Sequence, residues 1–244
     1  MRAAEREEEY EGLVVTAESD MLALKSLWPV RYLTYASALD SWRYRYIKRS
    51  LDFLCALTMI IAFAIPGLVI AAAIVLTSEG PVFYCEQRIG RNGRLFRIWK
   101  FRSMIRNTAQ NAPIADAQLG GKLLQWRMNK LRRDPRITTV GSFLRRWSLD
   151  EIPQLLNVLR GEMSLVGPRP IVEVETDFYG DLLSYYLAAT PGLSGLWQVS
   201  GRSHVDYAER AQIDALYVSS WSLQADLAIL FRTVPAVLVG TGAR

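Results

Sequence analysis

The stretch FLCALTMIIAFAIPGLVIAAAIVLT, residues 53–77, decides the fold because it contains no charged side chain over its whole length. A helix of about 20 apolar residues is long enough to cross the hydrocarbon core of a bilayer, which is ~30 Å thick. The segment is too long, and begins too far from Met1, to be a secretory signal peptide. The sequence therefore predicts an element that inserts into a membrane.

Two features bear on whether this segment spans the membrane or re-enters. Pro66 and Gly67 lie at its centre, and proline removes a helical hydrogen bond and bends the helix. Both flanks are basic, and positive residues next to membrane segments prefer the cytoplasm. The bases are Arg43, Arg45, Lys48 and Arg49 upstream, and Arg88, Arg91, Arg94, Arg97, Lys100 and Arg102 downstream. A spanning helix remains an alternative, and a helix that enters, breaks at Pro66 and returns is slightly favoured.

The charge of the chain is unevenly distributed. The 244 residues carry a net charge of +5, yet residues 1–30 hold seven acids against three bases. We therefore expect residues 1–42 to form an acidic tail and lead-in, and the basic remainder to meet an anionic partner such as a phosphate or lipid headgroups. Nucleic acid is not expected as a partner, because the bases cluster around acids and the apolar segment rather than along an open stripe.

The cysteine and histidine content argues against several kinds of site. Cys55 and Cys85 have no metal-ligand spacing and indicate free thiols in a reducing compartment. His204 is the sole histidine, and nothing near it in the sequence supports a His-based metal site or a Ser-His-Asp hydrolase.

The sequence after the apolar segment predicts an α+β fold that is mostly helical. Residues 82–104 alternate as two strands around an Asn-Gly turn signal, which is typical of a β-hairpin. In the second strand, Lys100 and Arg102 share one face. Residues 174–189 look helical, and 206–237 read as one or two helices. Their apolar face packs in the core or rests on the bilayer surface, and it consists of Leu223, Leu227, Leu230, Phe231 and Val234.

Two adjacent acids, Asp150 and Glu151, stand out in the segment RRWSLDEIPQLLNVLRGEMSLVGPRP, residues 145–170. Ser148 and Glu151 have the spacing of a capping box, which predicts that both acids lie in or beside the first turn of a helix. Acids in that position complement the helix dipole, and this structural role is the simpler interpretation.

Neighbouring bases favour a chemical role for the acid pair. Arg145 and Arg169 lie in the same segment, and Lys100 adds a third charge if the hairpin packs nearby. A helix N-terminus with arginines is a site for phosphate. One carboxylate in such a site can hold Mg²⁺ together with substrate phosphates, and the other, kept ionised by its surroundings, can attack phosphorus. The residues themselves thus predict phosphoryl chemistry next to a membrane.

Six segments carry a longer pattern. They are KRSLD (48–52), the apolar segment with its central proline, GPVFYCEQRIGRNGRLFRIWKFRSM (80–104), RDPRITTVG (133–141), SLDEIPQLLNVLRGEMSLVGPRP (148–170) and PGLSGLWQVSGR (191–202). In this order, from about Lys48 to the C-terminus, they resemble the bacterial sugar transferase family, the monotopic polyprenol-phosphate phosphoglycosyl transferases. The chain is similar to the short, exopolysaccharide-initiating members.

The resemblance implies a monotopic architecture. Residues 43–78 would form a re-entrant helix that enters and leaves on the cytoplasmic face of the bacterial inner membrane. Residues 79–244 would form a cytoplasmic catalytic domain with interfacial helices, and a homodimer is compatible with the family. Where the family often has Ser-Pro at the break, this chain has Ile65-Pro66.

The resemblance also implies a two-step reaction. Asp150 would attack the β-phosphate of a nucleotide-diphosphate sugar, expected to be a UDP-hexose, and release the nucleoside monophosphate. Polyprenol phosphate, expected to be undecaprenyl phosphate, would then take the sugar phosphate from the aspartate. Glu151 would bind Mg²⁺, and Lys100, Arg145 and Arg169 would neutralise phosphates.

The roles of several residues stay open, and two rival functions remain as alternatives. Roles for Gln87, Arg88 and Arg102 stay open between the site and hairpin packing, and Asp214 and Tyr217 are expected to be structural. One rival function is a membrane glycosyltransferase that releases nucleoside diphosphate. The other is a membrane-anchored scaffold without catalysis.

Overall fold

The computed structural model describes Leu39 and residues 41–105, 136–200 and 207–238. Within these ranges the fold is mostly helical with two small two-stranded sheets, which confirms the α+β prediction. The predicted acidic tail lies outside the described residues, except at its C-terminal end, and so do His204 and most of the polar stretch after residue 105.

The apolar segment forms a bent pair of helices. A π-helical turn, Arg43–Lys48, leads into α1, Arg49–Ala62, and α2 follows as Ala64–Thr77. The two helices are bent by 60° at the break between them. Among the described residues no single helix has the length and apolarity to cross a membrane, whereas this bent pair passes both criteria together.

The bend lies at Phe63, three residues before the proline, rather than at Pro66 itself. A proline ring collides with the carbonyl of the residue four positions earlier and offers that carbonyl no N–H. Here that residue is Ala62, the last residue of α1. Proline is tolerated in the first turn of a helix, so the chain breaks ahead of Pro66 and starts α2 with the proline inside its first turn.

The predicted hairpin is confirmed. Strand β1, Phe83–Ile89, pairs antiparallel with β2, Leu95–Phe101, in a register that sets Tyr84 opposite Lys100. Asn92 and Gly93 at the turn have φ values of 58° and 74°, a left-handed conformation that asparagine and glycine adopt most readily.

The second half of the domain is built from short elements. They are α3 (Thr139–Arg146), a 3₁₀ turn (Leu149–Gln154), α4 (Leu155–Arg160), β3 (Ser164–Val166), 3₁₀ turns (Glu173–Phe178, Gly180–Leu182), α5 (Leu183–Ala188), β4 (Gly192–Ser194), α6 (Leu196–Val199), α7 (Tyr207–Ser219) and α8 (Leu223–Leu238). Strands β3 and β4 pair in parallel. Their ends pass so closely that a Cβ on Gly192 would collide with the backbone nitrogen of Gly167.

Helix α8 buries only part of the face that the apolar spacing indicates. Ala225 and Ile229 lie in the core, whereas Leu227, Phe231 and Val234 are exposed, Phe231 by 76%. Of the two alternatives for this face, core packing holds for Leu223 and Leu230, which pack against the core, but not for these three residues. The exposed part of the face remains available for a bilayer surface.

A buried polar cluster joins the start of α1 to the rest of the domain. Lys48 Nζ lies 2.6 Å from Asp226 Oδ2 and 3.9 Å from Asp52 Oδ2, and all three side chains are less than a tenth exposed. Asp52 also accepts hydrogen bonds from Ser164 Oγ at 2.7 Å and from the backbone nitrogen of Leu165 at 3.1 Å.

The same cluster reaches α7 and α8. Asp226 accepts hydrogen bonds from Tyr217 Oη at 2.8 Å and from Trp221 Nε1 at 3.1 Å. We call Lys48, Asp52, Ser164, Tyr217, Trp221 and Asp226 the Lys48 cluster. It connects the apolar helices to β3, the strand that leads directly into the loop carrying Arg169.

Candidate functional site

Strand β2 carries Lys100 to the acid pair. Lys100 Nζ lies 2.7 Å from Glu151 Oε1. Asn157, which is fully buried, fixes the strand by donating to the Arg97 carbonyl at 2.7 Å and accepting from the Trp99 backbone nitrogen at 3.2 Å. The hairpin therefore packs beside the acid pair, and the predicted contact between Lys100 and the acids is formed.

The acids lie in a tight 3₁₀ turn rather than behind a capping box. Ser148 adopts a left-handed conformation with φ 53°, and its side chain makes no capping hydrogen bond. The prediction of a capping box is wrong. The Glu151 carboxylate contacts the lysine of the hairpin instead, a charged partner that attracts it more strongly than a backbone N–H does.

The two carboxyl groups differ in their electrostatic surroundings. Asp150 is 9% exposed; its burial and the neighbouring Glu151 raise its pKa, and Lys100 and Arg145 only partly oppose this. The shift is opposite to the one that the surrounding bases predict from the sequence. Burial also raises the pKa of Glu151, but Lys100 and Arg169 outweigh it and hold the pKa below its usual range. The side chain of Glu151 is 34% exposed, so the pair combines one buried carboxyl group with one accessible, ionised carboxylate.

Helix α3 presents Arg145 to Asp150 from its last turn. Arg145 Nε donates to Ser103 Oγ at 2.9 Å, and the positive charge of this arginine acts on the Asp150 carboxyl group. The helix lies against the end of the hairpin so closely that a Cβ on Gly141 would collide with the Ser103 backbone oxygen. A glycine at 141 is what lets Arg145 approach.

Arg169 lies on the loop that follows β3, between two prolines. Arg88 Nη1 donates to the Pro170 carbonyl at 3.0 Å, so Arg88 holds this loop against the hairpin. The Arg169 guanidinium lies over the Trp197 ring, 5.2 Å from its centre, and its charge acts on Glu151. The structure thus brings all five predicted site residues, Lys100, Arg145, Asp150, Glu151 and Arg169, into one neighbourhood.

The residues whose roles the sequence left open lie mostly outside this neighbourhood. Arg102 is buried and donates to the Ser78 carbonyl at 2.7 Å, which caps the C-terminal end of α2. Gln87 is exposed on β1. Tyr217 belongs to the Lys48 cluster, and Asp214 accepts a hydrogen bond from Tyr179 Oη at 2.8 Å. Tyr217 and Asp214 have structural contacts, as expected.

The acid pair is compatible with Mg²⁺ as a cofactor. No group of three or more acidic, histidine or cysteine residues is positioned for a metal in the described ranges. Magnesium, however, often uses one or two carboxylates and takes its other ligands from substrate phosphates and water. Glu151, whose side chain is partly exposed beside Asp150, fits that role.

Sequence reasoning missed two groups of residues. Arg210 shares the Trp197 ring with Arg169, and no motif indicated it. The Lys48 cluster was also missed, although Lys48 and Asp52 are one helical turn apart directly before the apolar segment. That spacing was the available signal, since buried charges at such a position need partners.

We expect the protein to become less stable as the pH rises, because of Asp214. Burial raises the pKa of Asp214 from 3.8 to about 7, although Tyr179, Arg210 and Arg169 lower it. The folded protein keeps a proton that the unfolded chain has lost, so the free energy of unfolding decreases from about pH 4 to pH 7, by at most ~1.4 kcal/mol per pH unit. Asp214→Asn removes this dependence.

Chemical unfolding of detergent-solubilised protein at several pH values in that window measures the effect. The difference in stability between Asp214→Asn and the unaltered protein should shift in favour of the variant as pH rises. A difference that is the same at every pH contradicts the assignment of the proton to Asp214.

Comparisons with known proteins identify relatives over most of the chain. Residues 43–240 match the family model described as bacterial sugar transferase. The undecaprenyl-phosphate galactose phosphotransferase of Salmonella typhimurium is 48% identical over 207 residues, which cover 82% of this chain and 42% of that protein. This chain therefore spans less than half of that relative.

Shorter relatives are covered more completely. The exopolysaccharide production protein ExoY of Rhizobium meliloti is 46% identical over 197 residues, which are 80% of this chain and 87% of that protein. The UDP-glucose:undecaprenyl-phosphate glucose-1-phosphate transferase of Caulobacter vibrioides is 42% identical over 205 residues, 80% of this chain and 71% of that protein.

Proposed function

The chain belongs to the bacterial sugar transferase family, and on that premise we propose that it transfers a sugar-1-phosphate from a nucleotide-diphosphate sugar to polyprenol phosphate. The relatives named above act on undecaprenyl phosphate or serve exopolysaccharide production. The donor is a UDP-hexose, and the product is polyprenol-diphosphate sugar, the first membrane-bound intermediate of a glycan.

Asp150 is the nucleophile of the first step. One of its carboxylate oxygens attacks the β-phosphorus of the donor, the bond from that phosphorus to the bridging oxygen breaks, and the nucleoside monophosphate leaves with the electron pair. In the second step an oxygen of polyprenol phosphate attacks the same phosphorus and releases the aspartate as a carboxylate. A covalent intermediate lets one site serve a water-soluble and a lipid-anchored substrate in turn.

The single observation that carries this proposal is the environment of Asp150. It is a buried carboxyl group within the field of Lys100 and Arg145 and beside an ionised Glu151. Burial strips water from the nucleophile, and the bases supply the positive charge that a phosphate needs on approach. A non-catalytic scaffold does not require a buried acid surrounded by bases.

The bases bind the phosphates of the donor, and Glu151 binds the metal ion. Lys100, Arg145 and Arg169 neutralise the phosphates of the donor and orient them towards Asp150. Glu151 would hold Mg²⁺, which would neutralise phosphate charge when bound. Lys100 would then contact a phosphate oxygen instead of Glu151, so that the positive charge of Lys100 stays in the site.

The bent helix pair fits a re-entrant membrane anchor. Its apolar side chains are widely exposed, among them Ile65, Leu68 and Leu76, and exposed apolar surface of this extent marks a membrane or partner contact. Basic residues flank both ends. We place the pair in the cytoplasmic membrane of a bacterium with both ends on the cytoplasmic side, and the exposed face of α8 against the bilayer surface.

The released nucleotide tests the proposed reaction. We expect detergent-solubilised protein, given UDP-hexoses, undecaprenyl phosphate and Mg²⁺, to produce UMP, because the β-phosphate stays with the sugar. Chromatography of the nucleotide products measures this. Release of UDP instead indicates a glycosyltransferase that moves the sugar without its phosphate, and overturns the proposal.

A further inference from the structure

Two arginines share the ring of Trp197. The indole is 7% exposed, and the Arg169 and Arg210 guanidinium carbons lie 5.2 Å and 4.7 Å from its ring centre. Arg210 also lies 4.6 Å from the ring centre of Tyr207. The aromatic rings hold both cations, and the positive charge of Arg210 acts against that of Arg169.

Neither guanidinium group has a hydrogen-bonded acceptor in the described part of the chain. Arg210 Nε is buried without a partner, and so are Trp197 Nε1 and Ser200 Oγ. A buried donor that lacks an acceptor destabilises the protein in its ligand-free state. Several buried polar groups that lack a partner therefore lie together, between the loop of Arg169 and helix α7.

Two carboxylates of the described residues near Trp197, Glu175 and Asp214, are bonded to other groups. Glu175 accepts a hydrogen bond from Tyr207 Oη at 3.1 Å and lies 3.9 Å from Arg88 Nη1. Asp214 is fully buried and is bonded to Tyr179. The charges of Arg169 and Arg210 around Trp197 thus lack a bonded carboxylate among Glu175 and Asp214, a condition that favours binding of an anion.

We propose that Arg210 is a second phosphate-binding residue, which together with Arg169 holds the diphosphate of the nucleotide sugar beside Trp197. This inference rests on the proposed function and adds a residue to its donor site. Trp197 acts as the support that keeps both guanidinium groups in reach of one ligand.

A diphosphate matches the pair of arginines better than a lipid monophosphate does. A nucleotide-diphosphate sugar presents two adjacent phosphate groups, and each can accept the fork of hydrogen bonds that one guanidinium offers. Polyprenol phosphate presents a single group. The field of Arg169 also reaches Glu151, so a diphosphate held here lies next to the acid pair where the reaction occurs.

Binding of UDP to the detergent-solubilised full chain tests the proposal. We expect Arg210→Gln to raise the Kd for UDP about tenfold or more, since a charge-assisted hydrogen bond is worth that much. Arg210→Lys, which keeps the charge but not the fork, should lie between the two. The KM for the nucleotide sugar should rise in the same order, while the KM for undecaprenyl phosphate stays unchanged.

Arg160→Gln is the matched control. Arg160 is exposed and lies over another tryptophan, 5.8 Å from the Trp99 ring centre, so this variant loses an arginine–indole contact away from the site and should bind UDP normally. If Arg210→Gln does not fold, Arg210→Lys carries the test.

Three results would overturn the proposal. The first is UDP binding by the Arg210 variants that is as tight as in Arg160→Gln. The second is a higher KM for undecaprenyl phosphate with unchanged UDP binding, which assigns Arg210 to the lipid acceptor. The third is unaltered protein that binds no UDP, which contradicts the proposed donor and this inference with it.

Discussion

Asp150→Asn is expected to abolish sugar-phosphate transfer while leaving the fold intact. An amide has no negative charge to attack phosphorus, and loss of a covalent nucleophile commonly costs about 10³-fold or more in kcat. Asparagine has nearly the shape of aspartate, and Asp150 is a raised-pKa carboxyl group, so a neutral replacement is not expected to destabilise its surroundings. Initial rates of UMP release and of lipid product formation measure the loss.

Asp181→Asn is the control for this variant. Asp181 is exposed in the 3₁₀ turn before α5, so the same chemical change there should leave turnover unaffected. Asp150→Asn protein that keeps more than about a tenth of the turnover would assign the acid a supporting role. A scaffold function would leave the biological role of the protein intact in both variants.

Lys48→Met is expected to have the largest effect on stability. The ammonium of Lys48 lies between two buried carboxylates, Asp226 and Asp52. Removing the one cation leaves two negative charges buried without compensation, which typically costs about 3–5 kcal/mol. The methionine side chain fills similar space, so the loss reports on charge rather than on packing. Denaturant unfolding of the detergent-solubilised protein measures it.

Arg43→Met controls for loss of a positive charge in the same helical turn. Arg43 is exposed, and surface substitutions of this kind change stability by about 0.5 kcal/mol or less. Removal of both Lys48 and Asp226 should recover part of the loss, because the buried charges then leave together. Equal stability of Lys48→Met and Arg43→Met contradicts the account of the Lys48 cluster.

The sequence predicts the elements of the site well, because their signals are local. Asn92 and Gly93 require positive φ, which indicates the hairpin, and alternation along its second strand points Lys100 to one face. Pro66 predicts a break in the apolar segment. The sequence places that break at Pro66, whereas the structure has it at Phe63, directly after Ala62, whose carbonyl a proline ring four residues later would meet.

Contacts between distant parts of the chain are not predictable from such signals. Lys100 contacts Glu151 although 51 positions separate them in the sequence. The capping box that the local spacing indicates does not form. Lys48 contacts Asp226 although 178 positions separate them. Arg210 and Arg169 each lie over the ring of Trp197. The apolar spacing of α8 left the core and the bilayer surface as alternatives for a related reason, since an apolar face can be buried by protein or by lipid, and periodicity is the same in both.

Mass spectrometry of the protein incubated with nucleotide sugar and Mg²⁺, but without lipid acceptor, tests the covalent mechanism most directly. We expect a mass increase equal to one sugar phosphate, on the peptide that contains Asp150, which disappears when undecaprenyl phosphate is added and is absent from Asp150→Asn. Normal formation of lipid product by protein in which this adduct never forms would contradict the mechanism.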